Sequence, residues 1–374
     1  MSKWLLGCEL FVVTLLLSLI LVPLAKQLAL RLGVVDQPVQ RKIHQQPKAL
    51  LGGLAIFFAF LIAVGLHLGV YEWRDSLFPW LNQWLAPHTG ITANLGLASK
   101  RLLALLVGSI IIVALGLWDD LRGVNFPVKL KFVGQFLAAG VVIYGGIVTN
   151  FMPGRILDVV LTAVWVVGIT NSFNLLDNMD GLAAGIAIIA GSLLFFITLQ
   201  QQQLFTAFLL AVFVGSIGGF LPYNLYPSRL FMGDTGSMFL GFFLGCLTVN
   251  SSYITSESPT FVPVIIPLII LAVPLFDTFS VMVIRWRLKQ PLFVGDQNHF
   301  SHRLVQLGMR QSEAVVFIYV VALAIGLISL LLPGAKLLES IIIVVQTLLF
   351  FTIISFLMFV AKARKRPAEK LQTR

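Results

Sequence analysis

Runs of apolar residues long enough to cross a bilayer recur from one end of this sequence to the other, and no other feature limits the fold so strongly. A helix rises about 1.5 Å per residue, so roughly 20 apolar residues cross a hydrocarbon core about 30 Å thick. Windows of this kind fall at residues 4–30, 50–70, 101–118, 130–149, 158–174, 182–200, 204–222, 235–250, 262–286, 313–332 and 336–361. They predict an all-α integral membrane protein, a bundle of about eleven transmembrane helices. One polytopic domain is expected over 1–361, followed by a basic tail at 362–374. With 58% hydrophobic and 11% charged residues, the chain lies outside soluble globular usage, so its 374 residues do not count soluble domains.

The same windows dispose of several other features. The first lacks a basic leader beyond Lys3 and a small-residue cleavage signature, which favours a retained helix over a signal peptide. Cys8 and Cys246 both fall inside expected spans, so neither a disulfide framework nor a zinc site is supported. No internal repeat or low-complexity tract interrupts the pattern, and the longest non-cytoplasmic loop is expected from Tyr71 to Lys100.

Charge orients the bundle. The loops that follow the odd-numbered helices hold 20 of the 26 Lys and Arg residues, which assigns that side to the cytoplasm, the N-terminus to the outside and the C-terminus to the cytoplasm. The net charge of +10 is thereby explained by topology. It does not imply a nucleic-acid partner, because the basic loops lack interleaved stacking aromatics.

An even number of expected crossings separates each polar cluster from the next, so all of them emerge on the cytoplasmic face. In GLWDDLRG, Asp119 and Asp120 end the third helix. Adjacent carboxylates at a membrane boundary repel, and a divalent cation or a cationic partner would relieve them; two solvated helix-end groups are the alternative. In NSFNLLDNMDGLAAG, Asn171, Asn174, Asp177 and Asp180 recur every three residues, a helical spacing that can face one ligand, with Gly181 releasing the chain into a turn. Capping and interhelical hydrogen bonds are the competing use. In FMGDTGSMFLG, Asp234 lies between Gly233 and Gly236, where backbone N–H groups and a helix N-terminus suit an anion and the carboxylate suits Mg2+; an N-cap role for Asp234 or Thr235 is the simpler reading. In DQNHFSHRLVQLGM, His299, His302 and Arg303 suit diphosphate or sugar contacts better than a metal, since no second ligand pair accompanies them, while Arg303 and Arg310 also serve as topology-setting charges. Asp277 lies inside the ninth window with Pro263, Pro267 and Pro274, an ionisable group in a kinked helix that fits a lipid groove or a transporter's broken helix.

Taken in order with RKIHQQPKALLGG, these motifs resemble the polyprenyl-phosphate N-acetylhexosamine-1-phosphate transferases of glycosyltransferase family 4, over roughly Val34 to Met309. The resemblance implies transfer of a sugar 1-phosphate from a UDP-N-acetylhexosamine to undecaprenyl phosphate in a bacterial plasma membrane, with release of UMP. It implies Mg2+ as cofactor, with Mn2+ as a substitute, an active site facing the cytoplasm, and the bilayer as a partner; a homodimer is compatible with it. By the same resemblance Asp119 and Asp120 position or deprotonate the lipid phosphate, and Asp234 with Asn174 takes the metal. Asn171, Asp177, Asp180, His299, His302, Arg303, Arg41 and His44 then bind substrate, and Lys129 pairs with the acceptor phosphate.

The sequence departs from the family pattern at Gly123, Asn178 and Ser301, which stand where an acidic residue, a glycine and a histidine are usual. The triple-histidine signature of the branch that loads MurNAc-pentapeptide is absent, so UDP-N-acetylglucosamine is the expected donor. A reporter fused after Arg374 is expected to read cytoplasmic; an external signal would invert the whole orientation.

Overall fold

The computed structural model describes residues 3–36, 48–77, 95–123, 126–254, 258–290 and 298–372. The chain divides into two compact units, Met1–Ser252 and Tyr253–Arg374.

Among its described residues the first unit contains eight helices: α1 (Lys3–Leu32), α2 (Gly52–Leu77), α3 (Leu95–Arg122), α4 (Val128–Tyr144), α5 (Arg155–Leu176), α6 (Leu182–Gln200), α7 (Leu204–Asn224) and α8 (Gly233–Asn250). A two-residue antiparallel ribbon joins β1 (Val35–Asp36) to β2 (Lys48–Ala49). Its second strand also accepts a hydrogen bond at the Ala49 carbonyl from the Phe231 N–H, 2.9 Å. The N–H groups of Gly52 and Gly53 return bonds of 3.0 Å to the carbonyls of Phe231 and Met232. The segment leading into α8 is thus tied to the start of α2.

Helix α8 is the core of this unit. It packs against α2, α3, α5 and α6, and every residue from Thr235 to Thr248 is buried. A helix apolar on all sides is stable only where protein surrounds it. Phe243 stacks on Phe213 with ring centroids 5.0 Å apart and meets the edge of Phe60 at 4.8 Å. Close approach of α2 depends on paired glycines, since a Cβ on Gly53 would collide with the backbone nitrogen of Gly236. Around this core, α1 packs on α2 and α7, α7 on α6, and α4 between α3 and α5.

In the second unit a 3-10 turn at Val262–Ile265 runs into α9 (Ile266–Ile270), and α10 (Ala272–Arg287) follows after a bend of 72°. Pro263 and Pro267 sit at the first positions of their pieces, where a missing N–H costs nothing. The expected kink is therefore present. Then come α11 (Phe300–Gln306), α12 (Gln311–Ile328), a 3-10 turn and α13 (Leu337–Gln372), with α9, α10 and α11 all packed on α12.

Each of the apolar windows coincides with a helix. Among the described residues, eight helices are long and apolar enough to cross a membrane, or nine if the bent pair is one span. Of the remaining two, α4 has only 17 residues and α8 carries Asp234, Thr235, Ser237 and Asn250. Polar residues are tolerated in α8 because its neighbours are helices rather than lipid. Both ends of the loop expected from Tyr71 to Lys100 are helical, since α2 continues to Leu77 and α3 begins at Leu95, and the residues between them lie outside the described ones.

Replacing Gly53 by Val should force α2 away from α8 and cost about 1–3 kcal/mol, as overpacking of a filled core does. Thermal unfolding in detergent reads the loss. Gly65→Ala, where a Cβ meets nothing within 4 Å, should leave the midpoint unchanged. A stable Gly53→Val protein would mean that the two helices do not touch there.

Candidate active site

Asp119 and Asp120 follow each other near the end of α3, and successive helical residues point about 100° apart. The two carboxylates therefore serve different partners. Asp120 reaches the head of α8, where its Oδ1 accepts the Asp234 N–H at 2.7 Å and its Oδ2 accepts the Thr235 N–H at 3.0 Å and the Thr235 hydroxyl at 2.6 Å. Free N–H groups and the positive end of the helix dipole favour an anion at this position. Gly233 makes room: its φ is +68°, and a Cβ there would lie 2.5 Å from Asp120 Oδ2. The anion that the glycine-flanked helix start was expected to hold is a side chain of the protein. Neither Asp234 nor Thr235 is the N-cap, which is Met232 and makes no side-chain cap bond.

Asp119 instead holds Lys131. The Lys131 ammonium lies 2.8 Å from Asp119 Oδ2, 3.0 Å from Asp234 Oδ2 and 2.9 Å from Asn174 Oδ1. Asn174 in turn donates to Asp234 Oδ1 at 2.6 Å and to the Ser237 hydroxyl at 3.0 Å. One cation from α4 is thus ringed by oxygens from α3, α5 and α8.

The three-residue spacing of Asn171, Asn174, Asp177 and Asp180 does not make one ligand-facing row, because α5 ends at Leu176. Asn171 turns to Gln135 of α4, donating at 2.6 Å, the interhelical pairing that was the alternative reading. Asp177 is the residue that closes α5. Burial pushes its carboxyl well above the usual carboxylate range, and the charges of Asp234, Asp120 and Asp180 act in the same direction. Asp180 lies in the turn that ends at Gly181 (φ +78°) and accepts the Ser228 N–H at 2.9 Å and the Lys48 ammonium at 3.4 Å. Lys48 also donates to the Ser228 hydroxyl at 2.6 Å and lies 4.8 Å from the Phe231 ring centroid. Asp180 consequently braces the segment before α8.

The family resemblance points to Lys129, not Lys131, as the partner of the acceptor phosphate. Lys129 is exposed, whereas Lys131 is the lysine among the carboxylates. Lys131 shares its helix face with Gln135, four residues on, which the fold leaves 1% exposed. Arg41 and His44 lie outside the described residues.

Within the second unit, His299, His302 and Arg303 stand at α11. His299 is its N-cap residue, and its ring centroid is 6.2 Å from that of His302. Arg303 donates through Nη2 to the Ser280 hydroxyl at 2.7 Å. Asp277 of α10 takes the His299 Nδ1 at 2.8 Å and the Phe300 N–H at 2.5 Å. Ser301, in place of the usual histidine, is buried.

No group of three or more His, Cys, Asp or Glu side chains among the described residues is arranged as a preformed metal site. The oxygens of Asp119, Asp234 and Asn174 nevertheless surround one cation already, the Lys131 ammonium. Mg2+ characteristically takes one or two carboxylates and completes its shell with water and substrate phosphate. The donor set therefore fits Mg2+.

Residues 102–252 match the sequence profile described as Glycosyl transferase family 4. The "Probable undecaprenyl-phosphate N-acetylglucosaminyl 1-phosphate transferase" of Bacillus subtilis (strain 168) is 32% identical over 373 residues, covering 97% of this chain and 95% of that protein. The "Decaprenyl-phosphate N-acetylglucosaminephosphotransferase" of Mycolicibacterium smegmatis is 30% identical, over 78% of this chain and 73% of its own length. The "Undecaprenyl-phosphate alpha-N-acetylglucosaminyl 1-phosphate transferase" of Yersinia pestis is 26% identical, over 84% and 81%.

Asp120→Ala would leave the three donors at the head of α8 without their acceptor. It should lower the unfolding free energy by about 1–3 kcal/mol, and Asp120→Asn by less. An unshifted melting curve for Asp120→Ala would show that the cap does not hold α8.

Proposed function

The chain belongs to glycosyl transferase family 4, and from that premise we propose that it transfers N-acetylglucosamine 1-phosphate from its UDP conjugate to undecaprenyl phosphate, releasing UMP. The observation that carries this reading is the ring of Asp119, Asp234 and Asn174 oxygens around Lys131, beside the Asp120 cap. Phosphoryl transfer needs little covalent chemistry from a protein and depends on charge neutralisation and in-line positioning. Carboxylates outnumber ammonium groups in this cluster, which suits a divalent cation shared with a diphosphate. The N-acetylglucosamine-specific names of the relatives, one of them matched along almost the whole chain, support the choice of sugar.

Asp234 and Asn174 are the residues proposed to hold Mg2+, which when bound would neutralise charge on the phosphates. The protein's own groups do the rest. Asp119 keeps the Lys131 ammonium in place, and that ammonium draws the acceptor phosphate. The second pKa of a phosphate monoester is near 6, so the acceptor is largely dianionic at neutral pH and Asp119 acts as a positioner rather than a base. Asp120 keeps Asp234 at its station through the α8 cap. Asp177 and Asp180 line the nucleotide side, and His299, His302 and Arg303 contact the diphosphate or sugar.

The membrane sets the stage for this chemistry. With about eleven spans and its basic loops inside, the proposed topology would bring the motif loops to the cytoplasmic surface of a bacterial plasma membrane, where a water-soluble nucleotide sugar and a lipid phosphate meet.

Purified protein in detergent, given undecaprenyl phosphate, Mg2+ and a panel of UDP-sugars, should release UMP with UDP-N-acetylglucosamine and stop when the metal is chelated. Lys131→Ala and Asp234→Asn should each lower kcat/KM by about 100-fold or more, and Lys129→Ala by only a few-fold. No release with any sugar would sink the transferase reading, and equal losses at Lys129 and Lys131 would remove Lys131 from its special place.

A further inference from the structure

Asp277 is a carboxylate in an apolar helix, 1% exposed. Such a group is costly within a span unless it is compensated. Both of its oxygens are engaged with the start of α11: Oδ1 accepts the Phe300 N–H at 2.5 Å, and Oδ2 lies 2.8 Å from His299 Nδ1. A carboxylate only accepts, so the hydrogen on the second contact belongs to Nδ1. That leaves Nε2 as the nitrogen with bonding capacity to spare, and it sets which tautomer the ring adopts.

The surroundings indicate a ligand rather than a closed structural knot. Arg303 lies four residues after His299, one turn along α11, and its Nη2 is fixed by the Ser280 hydroxyl, which itself donates to the Asp277 carbonyl at 3.0 Å. The Nε of the same guanidinium is buried and finds no acceptor among the described residues. Buried donors left over in a native fold are rare, and a bound ligand is one group that satisfies them. Residues of α10 thus hold both His299 and Arg303 from behind, while His299 Nε2 and Arg303 Nε are left for something else.

We propose that Asp277 is a positioning residue: its hydrogen bond to Nδ1 sets the tautomer and rotamer in which His299 presents Nε2 to the UDP-sugar. The proposal rests on the reading that His299 contacts that substrate. It also gives the intramembrane acid a role that needs no transport path.

Asp277→Asn tests it, because the asparagine can satisfy both neighbours and still be wrong. Its carbonyl can accept the Phe300 N–H, while its amide would donate to Nδ1 and move the ring hydrogen to Nε2. A purely structural role predicts that this isosteric change is tolerated. A positioning role predicts a thermal midpoint close to the parent and a loss of about 10–100-fold in kcat/KM for the UDP-sugar, the range seen when carboxylates that orient histidines are removed. The KM for undecaprenyl phosphate should not move. His299→Gln should lose a similar amount, and the double variant should be no worse than the poorer single one.

Parental activity in Asp277→Asn, or losses that multiply in the double variant, would overturn the proposal. If Asp277→Asn does not fold, the cycle is read on Asp277→Glu, which should be impaired with His299 present and silent in the His299→Gln background. A fully active His299→Gln would remove His299 from the substrate and the proposal with it. An impaired His299→Gln beside an active Asp277→Asn would remove the positioning role alone.

Discussion

The Asp120 carboxylate at the head of α8 is the contact on which the first unit depends. Helix α8 packs against α2, α3, α5 and α6, meets α7 through Phe213, and is buried along nearly its whole length, so its height and rotation decide where the neighbouring side chains meet. Two backbone N–H groups and a hydroxyl converge on one carboxylate, with Gly233 clearing the space. Once α8 is set, Asp234 stands opposite Asp119 and Asn174, and Lys131 closes the ring. A structural hydrogen bond and a chemical site thereby share one pair of adjacent aspartates.

Several buried polar groups in this protein are accounted for by partners within the protein. Asn171 pairs with Gln135 across α4 and α5, Asp180 with Lys48 and Ser228, and Asp277 with the first turn of α11. An unpaired polar group is expensive where water is scarce. The glycosyl transferase family 4 chemistry proposed for the chain uses the same economy, since negative charge is gathered where a cation and two phosphates would be brought together.

Much of the fold was legible in the sequence. Apolar windows located the long helices among the described residues but not the seven-residue α11, the proline run marked the 72° bend, and Gly181 and Gly233 marked turns with positive φ. The motif aspartates were legible as candidates too. Their division of labour was not: the adjacency of Asp119 and Asp120 reads as a shared site, whereas the helix turns them to different neighbours. The three-residue ladder from Asn171 to Asp180 likewise assumed a helix that stops at Leu176.

By itself, the sequence determined the membrane class and the family, because run length and motif order are properties along the chain. Tertiary structure alone decided that Lys131 rather than Lys129 enters the carboxylate ring, that Asp120 caps α8, and that Asp277 grips His299. Those outcomes depend on the rotation of each helix about its axis and on contacts between segments up to 115 residues apart. Neither is encoded in any local stretch of sequence.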